Sequence, residues 1–161
     1  MRIFNFAWII LFLTSGCVSV SLTSDKTVHA SGVTFEAPPS PFKKVKNSTD
    51  AAWLSERTGN SIAYVSACES KAEVPLIQLE SSALGSLDKA KIESSEETLF
   101  QDRAARATTA SGSLDGVPMR ISLLVFKKNN CDYTLIYGGV AKQFDSEFQY
   151  FDNFKRNFKV P

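Results

Sequence analysis

The residues best suited to covalent chemistry are three cysteines, Cys17, Cys68 and Cys131. The chain of 161 residues contains a single histidine, His29. A serine or cysteine nucleophile needs an adjacent base, which is most often histidine. His29 lies in a polar stretch of small residues, Ser19–Ser31, where we expect it to be solvated in a linker. Catalysis by a Ser-His or Cys-His pair is therefore not expected.

Other catalytic patterns are weak. Lysine can replace histidine as a base, and Ser-x-x-Lys matches occur at Ser40–Lys43 and Ser86–Lys89, but the companion Ser-Asp-Asn and Lys-Thr-Gly motifs are absent. The adjacent Glu96 and Glu97 would point to opposite faces of a strand. Phosphate-binding, dinucleotide-binding and EF-hand motifs are also absent, and the cysteines match neither a Cys-x-x-Cys nor a zinc pattern. We predict no catalytic residue, no cofactor and no metal.

The first cysteine follows a short apolar leader. Arg2 gives a positive start, and the apolar run Ile3–Leu13 is interrupted only by Asn5, which is the pattern of a signal peptide. A membrane-spanning helix needs roughly 20 apolar residues, and this run is much shorter. The leader is therefore predicted to be a signal sequence and not a membrane span.

The residues around Cys17 resemble the lipobox of bacterial lipoproteins. Ser15 and Gly16 are small residues directly before the cysteine, although the family's favoured leucine three residues before it is replaced by Thr14. The resemblance implies signal cleavage between Gly16 and Cys17, a lipid on the Cys17 thiol and an acyl chain, typically palmitate, on the new amino group. Val18 in place of aspartate resembles an outer-membrane sorting signal. The alternative is cleavage nearby and a secreted or soluble periplasmic protein.

Three segments are expected: a signal peptide at 1–16, a flexible tether at 17–31 after the lipidated cysteine, and one domain at 32–161. No repeat or low-complexity tract is visible. Without Arg2, basic and acidic side chains number 17 each. A domain with no net charge attracts a phosphate backbone poorly, so nucleic acid is not an expected partner.

The domain shows short alternating runs separated by turn residues, which is typical of strands and hairpins. The predicted strands are Val33–Glu36, Ala52–Glu56, Ser61–Ala67, Lys91–Phe100, Ala104–Leu114, Pro118–Lys128 and Asp132–Gly138. Hairpin turns are predicted in "LDGVP" at Leu114–Pro118 and "KKNNC" at Lys127–Cys131. The fold class is α+β, an antiparallel sheet of six to seven strands with one mid-chain helix and one C-terminal helix packed on it.

Both helices are predicted from apolar spacing. The mid-chain helix covers Pro75 to about Leu87, and the C-terminal helix covers "DSEFQYFDNFKRNF", with Ser146 and Gln149 spaced as a capping box. One face of the C-terminal helix is aromatic and consists of Phe144, Phe148, Phe151, Phe154 and Phe158. We expect this face to close over the sheet, and a ligand groove lined by the rings is the alternative.

The order of these elements, with "SIAYVSACE", "LDGVPMRISLLVF", "CDYTLIYGG" and "FQYFDNFKRNF", resembles the PsbP-like and DcrB-like domains. The resemblance covers Gly32–Val160 and implies an α+β fold. Relatives with that fold act mainly as binding or assembly factors on membrane-bound machinery.

Assigning Cys17 to lipid leaves Cys68 and Cys131 as an even pair in an exported protein. Cys68 ends one predicted strand and Cys131 begins another, so the two could meet at the same end of the sheet. An oxidising compartment permits a disulfide, and closing a loop of about 60 residues would stabilise the fold by roughly 4 kcal/mol. Two buried thiols acting as small apolar groups are the alternative.

The leading hypothesis is an outer-membrane lipoprotein whose periplasmic domain binds a protein or envelope component without catalysis. The alternatives are a small enzyme using Ser, Lys or carboxylate chemistry and a carrier of an apolar ligand. A deep polar pocket with a shifted acid or lysine would favour the enzyme, and an enclosed apolar cavity would favour the carrier. An exposed apolar patch on the sheet would favour the binding module.

Overall fold

Seven antiparallel strands form one sheet with the spatial order β1-β2-β3-β7-β6-β5-β4. The computed structural model describes residues 27–46, 50–68 and 73–161. The strands are β1 Phe42–Lys44, β2 Ala51–Ser55, β3 Ser61–Cys68, β4 Asp88–Phe100, β5 Arg103–Leu114, β6 Val117–Lys128 and β7 Cys131–Val140. The helices are α1 Leu76–Leu84 and α2 Phe148–Asn157, the latter preceded by a 3₁₀ turn at Phe144–Glu147. The predicted α+β class is confirmed, and no helix in the described ranges is long and apolar enough to cross a bilayer.

Tight two-residue turns join the four long strands β4 to β7. Both residues of each turn have positive φ, at Gln101–Asp102, Asp115–Gly116 and Asn129–Asn130. Paired positive φ angles are the mark of a type I′ turn, whose twist matches that of the strands it joins. The sequence predicted the last two turns, whereas Gln101–Asp102 lacks the usual Asn-Gly or Asp-Gly pair.

Helix α2 covers one face of the sheet, here called the α2 face. Four phenylalanines of the predicted aromatic helix face are buried and Phe148 is half-buried, which confirms that the aromatic side of the helix packs on the sheet. The four buried residues are Phe144, Phe151, Phe154 and Phe158. Their rings meet Tyr137 and Tyr64 from the strands at centroid distances of 5 to 6 Å. Each buried aromatic side chain contributes about 1.5 to 3 kcal/mol, so this layer supplies much of the core stability.

Helix α1 covers part of the opposite face, here called the α1 face. A second apolar cluster joins Leu84 and Leu87 to Ala110, Ile121 and Leu123 of β5 and β6. The predicted helix Pro75–Leu87 is shorter in the structure because Gly85 ends it, although Leu87 still packs on the sheet.

The prediction of a first strand at Val33–Glu36 is wrong. Thr34 makes only an isolated bridge with Lys159, and the edge strand is β1 instead. Phe35 packs its ring between Trp53, Tyr64 and Phe158. The alternation in this segment therefore reflects an extended chain that buries side chains in the aromatic layer without joining the sheet.

The predicted capping box is also wrong. Ser146 lies within the 3₁₀ turn, where its hydroxyl donates to Gln143 O at 2.6 Å, and α2 begins only at Phe148 without a side-chain cap. The preceding residue, Glu147, is fully buried and bonded to the β2–β3 connection. Anchoring of Glu147 thus sets the start of α2.

Candidate functional site

The predicted disulfide is present at one end of the sheet. Cys68 of β3 and Cys131 of β7 are directly opposite each other in the antiparallel register, with Cα atoms 4.0 Å apart and an S–S bond of 1.96 Å. The bond links the last residue of one strand to the first of its neighbour. Because both sulfurs are used in this bond, neither cysteine offers a thiolate for catalysis or metal binding.

The N-terminal segment is fixed to the domain at the same end. Cys68 N–H donates to Val28 O at 2.8 Å, and Ala30 N–H donates to the hydroxyl of Ser66 at 2.9 Å. Val28 to Ser31, expected as the last part of the flexible tether, therefore belong to the folded domain. The predicted signal peptide, its cleavage at Gly16–Cys17 and the lipidation of Cys17 lie outside the described residues.

His29 is not a solvated linker residue as expected. Its Nδ1 lies 2.9 Å from Ser66 O and 3.3 Å from Asp50 Oδ2. The Asp50 side chain is 5% exposed and also accepts the Ser66 N–H at 2.6 Å. Asp50 therefore contacts both the end of β3 and the N-terminal segment that contains His29. No local sequence pattern connects Asp50 to His29, so this contact could not be predicted from the sequence.

An open cavity of about 330 Å³ lies beside the disulfide. Its lining includes His29, Cys68, Asn129, Asn130, Cys131 and Pro161. Tyr133 contributes to its wall, and burial, aided by the negative charge of Asp50, raises the pKa of that phenol. The phenol therefore stays protonated, and the cavity contains no cysteine thiol that His29 could activate.

A second polar cluster lies at the opposite end of the sheet around the fully buried Glu147. Its carboxylate accepts hydrogen bonds from Ser55 Oγ at 3.0 Å, Arg57 Nη2 at 2.8 Å and the hydroxyl of Thr58. Burial alone would raise the pKa of Glu147, but these donors outweigh it and hold the pKa below its usual range. Glu147 is thus a charged structural residue that fixes the β2–β3 connection to the turn before α2.

A third cluster surrounds Glu80 of α1, which is 2% exposed. Ser95 Oγ donates to it at 2.6 Å, Arg106 Nε at 2.9 Å, and the hydroxyl of Thr108 also donates. These bonds outweigh the effect of burial and lower the pKa of Glu80. This cluster fastens α1 to β4 and β5, and a carboxylate stabilised in its charged form is poorly suited to act as a general acid.

The described part of the chain contains no group of three or more His, Cys, Asp or Glu side chains placed to hold a metal ion. The hydrogen bonds of the three polar clusters fix turns, helix α1 and the N-terminal segment to the sheet. The residues of the two Ser-x-x-Lys matches are exposed and lie in turns and edge strands away from these clusters; they are Ser40, Lys43, Ser86 and Lys89.

Large apolar side chains are exposed in two regions of the α1 face. Trp53 and Tyr64 point into the α2 layer, so the adjacent Leu54 and Val65 point to the other face, where they are 46% and 41% exposed. At the far edge of the sheet, Ile92 and Leu99 of β4 are 50% and 75% exposed. Helix α1 covers the sheet between these two regions.

Comparison with solved structures shows which fold this architecture belongs to. LpqN, involved in cell envelope biogenesis of Mycobacterium tuberculosis, matches with a TM-score of 0.62 and 9% identity over 84% of this chain and 90% of LpqN. CyanoP, the cyanobacterial PsbP of Synechocystis sp. PCC 6803, matches with a TM-score of 0.56 and 10% identity over 92% of this chain and 99% of CyanoP. The fold is PsbP-like. The expected likeness to DcrB-like domains stays a prediction.

Comparison of the sequence itself gives no match, either to a protein-family model or to a curated protein. The similarity to LpqN and CyanoP, at 9% and 10% identity, is therefore a similarity of fold.

Proposed function

We propose that this protein is a cell-envelope lipoprotein, anchored through lipid on Cys17, whose domain is a non-catalytic binding or assembly module. The observation that carries the binding role is the set of large apolar side chains exposed on the α1 face of the sheet. Leu54 and Val65 lie on one side of α1, and Leu99 lies on the other. Exposed apolar patches on a folded domain mark surfaces that contact other molecules.

The buried polar groups support a role without catalysis. Glu80 and Glu147 each form an ion pair with an arginine and accept hydrogen bonds from hydroxyl groups, and each joins separate elements of the fold. A catalytic acid or base needs a pKa matched to proton transfer, whereas these carboxylates are stabilised in the charged form.

The disulfide supports an extracytoplasmic address, because such bonds form and persist in oxidising compartments. LpqN, which shares the fold, is described as involved in cell envelope biogenesis. We place the protein in the outer membrane facing the periplasm, after removal of residues 1–16. Nine residues separate Cys17 from Thr27, and the ten steps from one Cα atom to the next would span at most about 35 Å when extended, so a lipid at Cys17 would keep the domain near the membrane.

The anchor is tested by feeding cells an alkyne fatty acid and comparing wild type with Cys17→Ser. Wild type should carry the label and sediment with membranes, and Cys17→Ser should lose both properties because the thiol and the processing site are gone. The matched control is Cys68→Ser/Cys131→Ser, which retains Cys17 and should stay labelled. Equal labelling of wild type and Cys17→Ser would overturn the anchor.

The binding role is tested separately with the anchored wild-type protein and a Leu54→Glu/Val65→Glu variant. Crosslinking followed by mass spectrometry should yield envelope proteins that the variant loses, while Lys142→Glu, an exposed charge change elsewhere, should retain them. An identical crosslinked set for both variants would exclude this half of the sheet as the contact surface.

A further inference from the structure

The outer edge of β4 is the longest exposed edge of the sheet. β4 is the terminal strand and spans Asp88–Phe100, 13 residues, all of them exposed except the half-buried Ser95 and Phe100. The opposite edge strand, β1, has only 3 residues and directly follows Pro41, two features that prevent further strand pairing. The two edges of the sheet are therefore protected very differently.

Only the second half of β4 is a regular edge. Register shifts occur between Asp88 and Lys91 and between Ile92 and Ser94, and such bulges bend a strand and disturb further pairing. From Ser94 to Phe100 the pairing with β5 is continuous. This segment has the length of an ordinary strand and presents its outer backbone groups for hydrogen bonding.

Apolar side chains flank this regular edge. Leu99 is 75% exposed and shares the α1 face with Ser95, which bonds to Glu80. Ile77, one helical turn before Glu80 on α1, is 58% exposed. After the Glu80 cluster, the chain of α1 continues toward Gly112 of β5, where Leu87 packs. Ile77 comes before Glu80 and therefore lies on the other side of this cluster, which is also the side of Leu99.

The Ser94–Phe100 edge of β4 also carries negative charge. Glu96 and Glu97 are adjacent and point to opposite faces, so each face of the edge presents one carboxylate. Glu97 is 86% exposed, and its contact with Arg106 is long, at 3.4 Å. An added strand would be favoured if it placed cationic side chains opposite both glutamates.

A second copy of this chain fits this edge poorly. Antiparallel pairing of two Ser94–Phe100 segments would place Glu96 and Glu97 of one copy opposite or diagonal to the same carboxylates of the other. Like charges in such cross-strand positions are destabilising. Charge complementarity thus favours a different, basic partner.

We propose that the Ser94–Phe100 edge of β4 binds an extended basic segment of a partner protein, which adds as an eighth strand of the sheet. Cationic side chains of that segment lie opposite Glu96 and Glu97, and an apolar side chain contacts Leu99 and Ile77. This inference rests on the proposed binding function and specifies one partner class and contact surface for it.

The test uses the full-length protein in detergent micelles and a fluorescent peptide, acetyl-Val-Val-Thr-Lys-Lys-Thr-Thr-amide, designed to pair antiparallel with the edge. The peptide should bind in a salt-sensitive manner, and its Glu-Glu analogue should not. The variant Glu96→Lys/Glu97→Lys should weaken binding about tenfold, since two attractive cross-strand pairs become repulsive. Leu99→Ser should weaken it less, and the matched surface control Glu56→Lys should leave binding unchanged.

Hydrogen exchange locates the contact. The peptide should slow exchange of amides in Ser94–Phe100 and leave those of β1 unaffected. Binding that the charge reversal leaves intact, protection confined to another surface, or absence of binding would each overturn the proposal. A different result would be that the protein, without peptide, doubles its mass as its concentration rises and protects the same amides. That result would assign the edge to a second copy of the chain.

These outcomes are separable from those of the proposed function. Failure of the peptide to bind would leave the Cys17 labelling and the crosslinks through Leu54 and Val65 unchanged. Loss of the lipid anchor would, conversely, leave peptide binding in micelles unchanged.

Discussion

The side-chain oxygen of Asn60 occupies the space that a side chain at position 139 would need: a Cβ on Gly139 would lie 1.8 Å from Asn60 Oδ1. The Asn60 amide is fully buried, and its Nδ2 donates to Tyr137 Oη at 2.9 Å, Gln143 O at 2.9 Å and Glu147 Oε2 at 3.3 Å. Its Oδ1 has no conventional hydrogen-bond donor among the described residues and instead lies against the Gly139 backbone. Glycine is therefore required at 139 by close packing.

Gly139→Ala should lower the free energy of unfolding by about 3 kcal/mol or more, because the new methyl group displaces Asn60 from its three acceptors. Urea titration followed by circular dichroism measures the loss. Gly138→Ala is the matched control, since the atom nearest to its Cβ would be Ile121 Cγ2 at 3.2 Å, and its cost should be smaller. Combining Asn60→Ala with Gly139→Ala should cost less than the sum of the single changes. Additive losses would argue against this contact.

The disulfide between Cys68 and Cys131 closes a loop with a sequence separation of 63. Replacing both cysteines by alanine should cost about 4 kcal/mol through the greater entropy of the unfolded chain. Urea denaturation of the variant and wild type gives this difference, and the intact mass of wild type purified without reductant should be two hydrogens lower than after reduction. A variant as stable as wild type would show that the loop constraint contributes little.

Acid should destabilise the fold through Glu80 and Glu147. Both pKa values are lowered in the folded state, so the unfolded chain takes up protons at these residues at a higher pH than the folded chain does. Their stabilising contribution is complete above the ordinary glutamate pKa of roughly 4.3 and is lost as the pH falls through the folded-state values. Glu147→Gln should be less stable than wild type at neutral pH and should show a smaller further loss in acid.

Urea midpoints measured across the acid range test this expectation. Glu97→Gln is the matched control, because the Glu97 side chain is 86% exposed and its ion pair with Arg106 is long at 3.4 Å. Parallel pH profiles for Glu147→Gln and wild type would contradict a lowered folded-state pKa.

The features that the sequence could predict depend on near neighbours in the chain. The Asp115–Gly116 pair predicts its own turn. The helical spacing of apolar residues predicts α1, and the spacing of the five phenylalanines predicts the C-terminal helix. The disulfide could be predicted for a different reason. Once Cys17 is assigned to lipid, the two remaining cysteines of an exported chain have only one possible pairing.

The features that the sequence did not reveal depend on residues far apart in the chain. Glu147 receives its hydrogen bonds from Ser55 and Thr58, about 90 positions earlier, so a capping pattern that considers only its neighbours misplaces the start of α2. Val33–Glu36 has the alternation of a strand, but tertiary packing of Phe35 decides its conformation. Propensity and periodicity are overridden wherever such distant contacts dominate.

Asp50 should hold the incoming N-terminal segment in place. It accepts the Ser66 N–H at 2.6 Å and lies 3.3 Å from His29 Nδ1, so Asp50→Ala leaves a backbone donor unpaired near the end of β3 and removes a contact of His29. We expect a loss of about 2 kcal/mol in unfolding free energy. Hydrogen exchange should also become faster at Ala30 N–H, because Asp50 orients the Ser66 hydroxyl that accepts it.

Asp145→Ala is the matched control, because its side chain is 82% exposed and its ion pair with Arg120 lies at the other end of the sheet. Exposed ion pairs contribute little, so the control should change stability by less than about 1 kcal/mol and leave exchange at Ala30 unaffected. His29→Ala should speed exchange at Ala30 with a smaller global loss, since the Ser66 N–H keeps its Asp50 acceptor. Unchanged exchange at Ala30 in both Asp50→Ala and His29→Ala would show that the Cys68 N–H bond to Val28 O fixes this segment by itself.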